Sequence, residues 1–301
     1  MGAPAKAAAI ICLCAADFEV GALTVSGKLT PGEYAIEANV SSQFITGLLF
    51  ALSLLPYPST LLLKGEIESA PYINMTLETL TKFKASPIAV GGGRLLGVPG
   101  YLAQPLRTPG NIYTEGDYSG AAFLLAAGAI GKEPVTVTGL SVPSAQGDMA
   151  ILELLDKFGA KIDFDEQNRA FTVSPAPLHG IQIDAKQIPD LVPILAVVAA
   201  AATGDTEITG AARLRLKESD RISTTAAMLR ALGGEVEEKE DGLLIHGGKP
   251  LAGGLVDGAK DHRIVMSAAV ASLLCEGKVT VMGAQAADKS FPTFFKTAIR
   301  H

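Results

Sequence analysis

Tryptophan is absent from this chain, and cysteine and histidine are scarce, at three and four residues in 301. Cys12, Cys14 and Cys275 have no metal-like spacing and no pairing scheme that uses all three. A reduced cytoplasmic setting with cysteines as packing residues is therefore the expectation. Basic runs longer than two residues are also missing, and the formal net charge is −6. Together with the absence of tryptophan, this argues against a general nucleic-acid binder. No apolar run reaches the roughly 18 to 20 residues that a membrane-spanning helix needs, so no membrane role is expected. Residues 191–203 are apolar all round but too short for a bilayer, which predicts a helix buried in the core.

What is present is apolar material. A hydrophobic fraction of 48% is enough to build one large or two ordinary cores, as in an α/β protein. The first twenty residues carry the least information. Lys6 followed by Ala7 to Ala16 has the outline of a secretion signal. Nothing downstream calls for an oxidising compartment, so a start-site artefact or a helix without its context is the preferred reading.

One pattern recurs about four times. Apolar helices are predicted to begin at Ser41, Asp117, Asp190 and Asp261, at offsets of 76, 73 and 71 residues. A short strand ending in glycine follows each one, at Gly65, Gly139, Gly210 and Gly283. Amphipathic helices come next at Thr76 to Phe83, Met149 to Phe158 and Thr224 to Leu232, with apolar residues returning every three or four positions. Two units close with alternating stretches, Ala160 to Pro175 and Gly234 to Gly247. These read as hairpins turning at Gln167-Asn168 and Asp241-Gly242. The predicted unit is helix, strand, helix, strand, strand, and a repeat of this regularity defines the fold.

The chemistry is expected where the apolar helices start. Free backbone N–H groups and a partial positive charge suit helix N-termini to anions, and several such ends facing one cleft make an anion trap. Taken singly, Ser41, Ser42, Asp117 and Asp190 are more simply read as ordinary N-caps. The run Arg213 to Ser223 is harder to explain that way. It packs Arg213, Arg215, Lys217 and Arg221 with Glu218 and Asp220 just ahead of an amphipathic helix. Four cations there suit a phosphate or carboxylate ligand, and Lys217 beside Glu218 offers an acid/base pair. A solvated face held by pairing of Asp220 with Arg221 is the plainer alternative. Asp261-His262-Arg263 and Asp288-Lys289 bring further cations to the same end of the repeat.

These residues carry a resemblance. The chain resembles the 5-enolpyruvylshikimate-3-phosphate synthases through strings that run in order from about Leu23 to the C-terminus. They are Val40 to Leu52, Glu68 to Leu77, Glu115 to Ala127, Gln146 to Asp148, Ile188 to Asp190, Arg215 to Ile222, Asp261 to Met266 and Asp288 to Phe295. The resemblance implies two domains of an inside-out α/β barrel type, enolpyruvyl transferase-like, with the first domain incomplete. The expected division is an unassigned segment 1–20, a partial shikimate-phosphate-binding domain 21–114 and a phosphoenolpyruvate-binding domain 115–301. It also implies a reaction: transfer of the enolpyruvyl group of phosphoenolpyruvate to the 5-hydroxyl of shikimate 3-phosphate, with release of phosphate. No metal or organic cofactor is implied.

By the same resemblance, Ser41, Ser42 and Ser69 hold the shikimate phosphate, while Gln43 and Tyr72 line that substrate. Asp190 meets the reacting hydroxyl region, Lys217 binds substrate, and Glu218 and Lys289 are the candidates for proton transfer. Arg221, Arg263 and Lys289 grip phosphoenolpyruvate, with His262 beside them. Arg213 stands where some family members have an asparagine that touches substrate phosphate.

The family's N-terminal motifs, which bring a lysine and arginines to the site, have no counterpart here. Three readings result. A synthase could be completed by an N-terminal half polypeptide or by self-association with a second copy. An inactive fragment could bind shikimate 3-phosphate without turnover. Transfer to a UDP-sugar is disfavoured, because the matching strings are those of the shikimate enzyme.

Overall fold

The computed structural model describes residues 28–39 and 41–298. The secretion-signal reading, Cys12, Cys14 and the expected 1–20 segment lie outside the described residues. The chain divides into two compact units, Met1–Tyr113 and Thr114–His301.

In the first unit, β1 (Glu33–Glu37) and β2 (Ser59–Lys64) pair in parallel across α1 (Ser42–Ser53). Next come α2 (Ala70–Lys82), β3 (Ile88–Val90) and β4 (Leu95–Val98), giving a sheet of order β1-β2-β4-β3. Every second residue of β1 and β2 points into a core with Ile45, Leu48, Leu49 and Leu52 of α1. The β3–β4 hairpin is a strand pair that periodicity alone did not predict. Its turn uses three consecutive glycines, Gly91 to Gly93, all at positive φ.

The second unit contains α3 (Tyr118–Ile130), β5 (Val135–Thr138), α4 (Ala150–Phe158) and the hairpin β6 (Lys161–Asp165) and β7 (Ala170–Ser174). Then follow β8 (Gln182–Asp184), α5 (Val192–Ala201), β9 (Gly204–Thr209), α6 (Arg221–Ala231) and the hairpin β10 (Glu235–Lys239) and β11 (Gly242–Gly247). The described residues end with β12 (Gly254–Asp257), α7 (His262–Ala271), β13 (Val279–Met282) and α8 (Phe294–Ala298). Both predicted hairpins form as antiparallel pairs. The sheets have orders β5-β7-β6, β8-β9-β11-β10 and β12-β13.

The repeat differs from the predicted unit in one respect. Three of the four apolar helices are preceded by a strand, β1, β8 or β12, that pairs in parallel with the strand after the helix. The unit is thus a βαβ crossover followed by a helix and a hairpin. These lead strands are only three to five residues long and half exposed, so their alternation is too brief to stand out. Helices α3, α5 and α7 pack on one another at the centre of the second unit. Residues Val192 to Ala200 of α5 are all buried, because a helix without a polar face can only sit inside. Among the described residues no helix is long and apolar enough to cross a membrane.

Candidate active site

The four helix starts serve different purposes. Ser41 Oγ accepts from Gln43 N, Asp117 accepts from Ser119 N and Gly120 N, and Asp261 accepts from Arg263 N, so three are N-caps. Asp190 is not. It lies in the short 3₁₀ turn Pro189–Leu191 and makes no side-chain cap. Its carboxylate turns instead to Arg221, Arg263 and Lys217.

Arg221 is the hub of this cluster. The helix predicted from Thr224 begins at Arg221, with Asp220 as its cap, and this start turns the guanidinium inward rather than toward solvent. It is 1% exposed. Its Nε donates to Asp261 Oδ2 at 2.7 Å, Nη1 to Asp190 Oδ1 at 2.8 Å, and Nη2 to Glu218 Oε2 at 2.7 Å. A buried cation without such partners would be strongly disfavoured, and three carboxylates satisfy it.

The other cations gather on the same carboxylates. Arg263 donates through Nη1 to the Asp190 carbonyl at 3.1 Å and through Nη2 to Asp190 Oδ2 at 3.2 Å. Lys217 Nζ is 3.7 Å from Asp190 Oδ1, and Lys289 Nζ donates to Glu218 Oε1 at 2.6 Å. His262 Nε2 stands 3.9 Å from Glu218, with Nδ1 bonded to Ser290 Oγ. The arrangement brings Asp190, Lys217, Glu218, Arg221, His262, Arg263 and Lys289 into one cluster, though they come from four separate stretches of sequence. Arg263 retains a buried Nε with no hydrogen-bond partner, a donor available to an anion.

Protonation follows from these contacts. Burial alone would raise the Glu218 carboxyl, but the Lys289 hydrogen bond and the Arg221 charge outweigh it and hold the group down to about 2. Burial and the neighbouring Arg263 and Arg221 push the His262 imidazole below its ordinary value, which favours its neutral form.

Arg215 departs from the sequence-based grouping of four cations. It ties Asp220 at 2.8 Å, Glu238 at 3.0 Å and the carbonyls of Lys239 and Glu240, so it joins the 3₁₀ turn Ala212–Leu216 to the hairpin. The predicted alternative, a solvated face with Asp220 paired to Arg221, is also not what forms. Arg213 is half-buried in the same turn.

Two contributors were missed. Asp261 is both the cap of α7 and a partner of Arg221, a double duty that a cap-type residue in sequence does not reveal. Asp148, only 2% exposed, accepts from Ser119 Oγ at the start of α3, and burial pushes its carboxyl up against the pull of Arg263. The available signal was the Gln146-Gly147-Asp148 string. Gln146 Oε1 accepts from Tyr118 N at 2.8 Å at the same helix start.

The remaining candidates lie in the first unit. Ser42 and Ser69 are buried, Ser41 and Tyr72 are half-buried, and Gln43 is exposed. Ser41 caps α1, and Ser69 precedes α2 in the left-handed region, at φ 55°. A 2.8 Å hydrogen bond between Thr46 and Thr76 ties the first halves of these two helices together.

The second unit is thus built from βαβ repeats with cations clustered near helix starts. The sequence pattern of EPSP synthase (3-phosphoshikimate 1-carboxyvinyltransferase) matches residues 11–298, and the chain belongs to that family. It is 42% identical over 286 residues to the 3-phosphoshikimate 1-carboxyvinyltransferase of Halorubrum lacusprofundi, covering 91% of this chain and 63% of the relative. The Clostridium acetobutylicum relative of the same name is also 42% identical, with 91% and 62% covered. Among solved structures, an EPSP synthase from Acinetobacter baumannii superposes with a TM-score of 0.76 at 27% identity, covering 91% of this chain and 63% of that one. The enolpyruvyl transferase-like α/β fold expected from the resemblance is therefore present. The chain spans slightly less than two thirds of the length of these relatives.

Proposed function

We propose that the chain contributes to enolpyruvyl transfer from phosphoenolpyruvate to the 5-hydroxyl of shikimate 3-phosphate, with release of phosphate, in aromatic amino acid biosynthesis. The observation that carries this reading is the Arg221-centred cluster. Two polyanions must be brought together, so charge neutralisation and positioning supply much of the rate enhancement. Without substrate, the cations are neutralised by Asp190, Glu218 and Asp261. An incoming phosphate or carboxylate competes for Lys217, Arg263 and Lys289, while buried Arg221 stays fixed by its three partners.

This exchange gives Glu218 a route to proton transfer. With Lys289 attached it is a carboxylate. When a substrate anion takes Lys289, the carboxyl loses its largest stabilising contact and rises toward the ordinary range, where it can carry a proton to the alkene. Asp190 then meets the reacting hydroxyl. Ser41, Ser42 and Ser69 hold the shikimate phosphate, with Gln43 and Tyr72 lining the substrate, and Arg213 contributes a phosphate contact. His262, neutral and anchored to Ser290, positions the phosphoenolpyruvate end. A cytoplasmic setting fits phosphorylated substrates and, among the described residues, the free Cys275.

The relatives are longer, so turnover is proposed for this stretch together with the portion of the family that it does not match. A narrower reading has the chain bind shikimate 3-phosphate without turnover. Phosphate release from both substrates, assayed with the chain alone and with the remaining portion added, tests these readings. Release on addition supports transfer. No release under either condition, with shikimate 3-phosphate still bound, supports the narrower reading.

A further inference from the structure

Lys289 is the most exposed cation of the cluster, with 55% of its side chain open to solvent, yet its ammonium meets Glu218 at 2.6 Å. A lysine on a flexible four-carbon stem loses entropy when fixed, and an exposed ion pair returns little of it. The contact therefore depends on where the backbone of Lys289 is placed.

That backbone belongs to the stretch after β13. Ala284–Lys289 forms a 3₁₀ run with Ala287 buried. The Ala287 carbonyl accepts from Ser290 N at 3.2 Å and from Phe291 N at 2.9 Å. Pro292 disfavours helix at the residue before it, and α8 starts only at Phe294. Phe291 is thus a half-buried side chain between two helical pieces, two residues from Lys289.

Its ring is packed against α3 both directly and through a second ring. It lies 5.6 Å from the Phe294 ring at 67°, and fully buried Phe294 lies 6.0 Å from Phe123 of α3 at 77°, both edge-to-face. It also lies against Gly120 in the first turn of α3, where a Cβ would stand 3.6 Å from Phe291 Cδ1. An aromatic ring has only two side-chain torsions to fix, so it anchors a chain at low entropic cost. The bond from Ser290 to His262 holds the same stretch on the α7 side, but Ser290 is exposed and water competes for it.

We propose that Phe291 is a positioning residue: by seating the stretch 284–294 on the start of α3, it sets where Lys289 reaches Glu218. This inference rests on the proposed function only for the part given there to Lys289.

Glu218 faces Lys289, Arg221 and His262, so its carboxyl reports whether Lys289 is in place. The test follows the Glu218 carboxyl carbon by NMR in the full chain, assigned with Glu218→Gln, as pH falls from neutral through the range in which the amide spectrum stays native. In the wild type Glu218 should stay ionised down to about pH 3, because its neighbours hold it down to about 2. Phe291→Ala should bring the midpoint up to between about 3 and 4.5, toward that of Lys289→Met, and should add nothing further in a Lys289→Met background. Phe291→Tyr, which keeps the ring, should match the wild type. An unchanged Glu218 in Phe291→Ala or in Lys289→Met, or an equal added shift from Phe291→Ala once Lys289 is gone, would each overturn the proposal. If Phe291→Ala does not fold, Phe291→Leu is read instead, and a curve identical to that of the wild type counts against it. The titration uses no turnover, so a chain that releases no phosphate refutes the reaction and leaves the positioning of Lys289 standing.

Discussion

The two units hold their candidate residues in different ways. In Thr114–His301 the side chains hold each other, as Arg221 binds Asp261, Asp190 and Glu218 while Arg263 and Lys289 bind two of the same carboxylates. In the first unit Ser41 holds backbone instead, capping α1. A charged network centred on the buried Arg221 binds stability and function together, because removing that hub takes the cation from buried Asp261. A hydroxyl at a helix start can be lost more cheaply. The first unit thus offers a neutral hydroxyl at a helix end, and the second offers charged side chains.

Mutation can break this contrast. Arg221→Ala is expected to have the largest effect, since it removes the cation paired with fully buried Asp261 and one of the cations on Asp190 and Glu218. Denaturant unfolding should show the second unit destabilised by about 3 to 5 kcal/mol. Arg263→Ala or Lys217→Ala should leave the melting curve nearly intact and lower phosphate release by about 100-fold or more in any active form, because each removes a cation from charge that develops during the reaction. Ser41→Ala should cost the first unit about 1 kcal/mol through the lost cap and leave the second unit's melt unchanged. A matched loss in both units would erase the distinction.

The smallest effect is one of pH. The Glu218 carboxyl is depressed from its ordinary value of 4.5 to about 2, so its contribution to stability is present above pH 4.5 and lost as pH falls toward 2. The stability difference between wild type and Glu218→Gln should shrink across that window in acid unfolding curves. A constant difference would mean that Lys289 and Arg221 do not hold the carboxylate.

Much of this was legible in sequence where the pattern was long. The apolar helices, the glycines at strand ends and both second-unit hairpins are strong periodic signals, and they form as expected. Lead strands such as Gln182–Asp184 were not legible, since three residues carry almost no period. For the site, residue types near helix starts pointed to Lys217, Glu218, Arg221 and Arg263. They did not separate Arg221 from Arg215, two like residues six positions apart. One lies buried among three carboxylates, and the other clamps a hairpin. That separation depends on where α6 begins, and element boundaries are the least legible feature of a sequence. Asp261 was hidden because capping alone accounts for an aspartate at that position.

The central claim is that the carboxylates of the second unit occupy cations which substrate later takes. A crystal structure of the chain with phosphoenolpyruvate and shikimate 3-phosphate soaked in tests it most directly. The account predicts anionic oxygens of phosphoenolpyruvate within hydrogen-bond reach of Arg263 and Lys289, with the 2.6 Å contact between Lys289 and Glu218 opened. Phosphoenolpyruvate bound elsewhere, with that contact still closed, would contradict it.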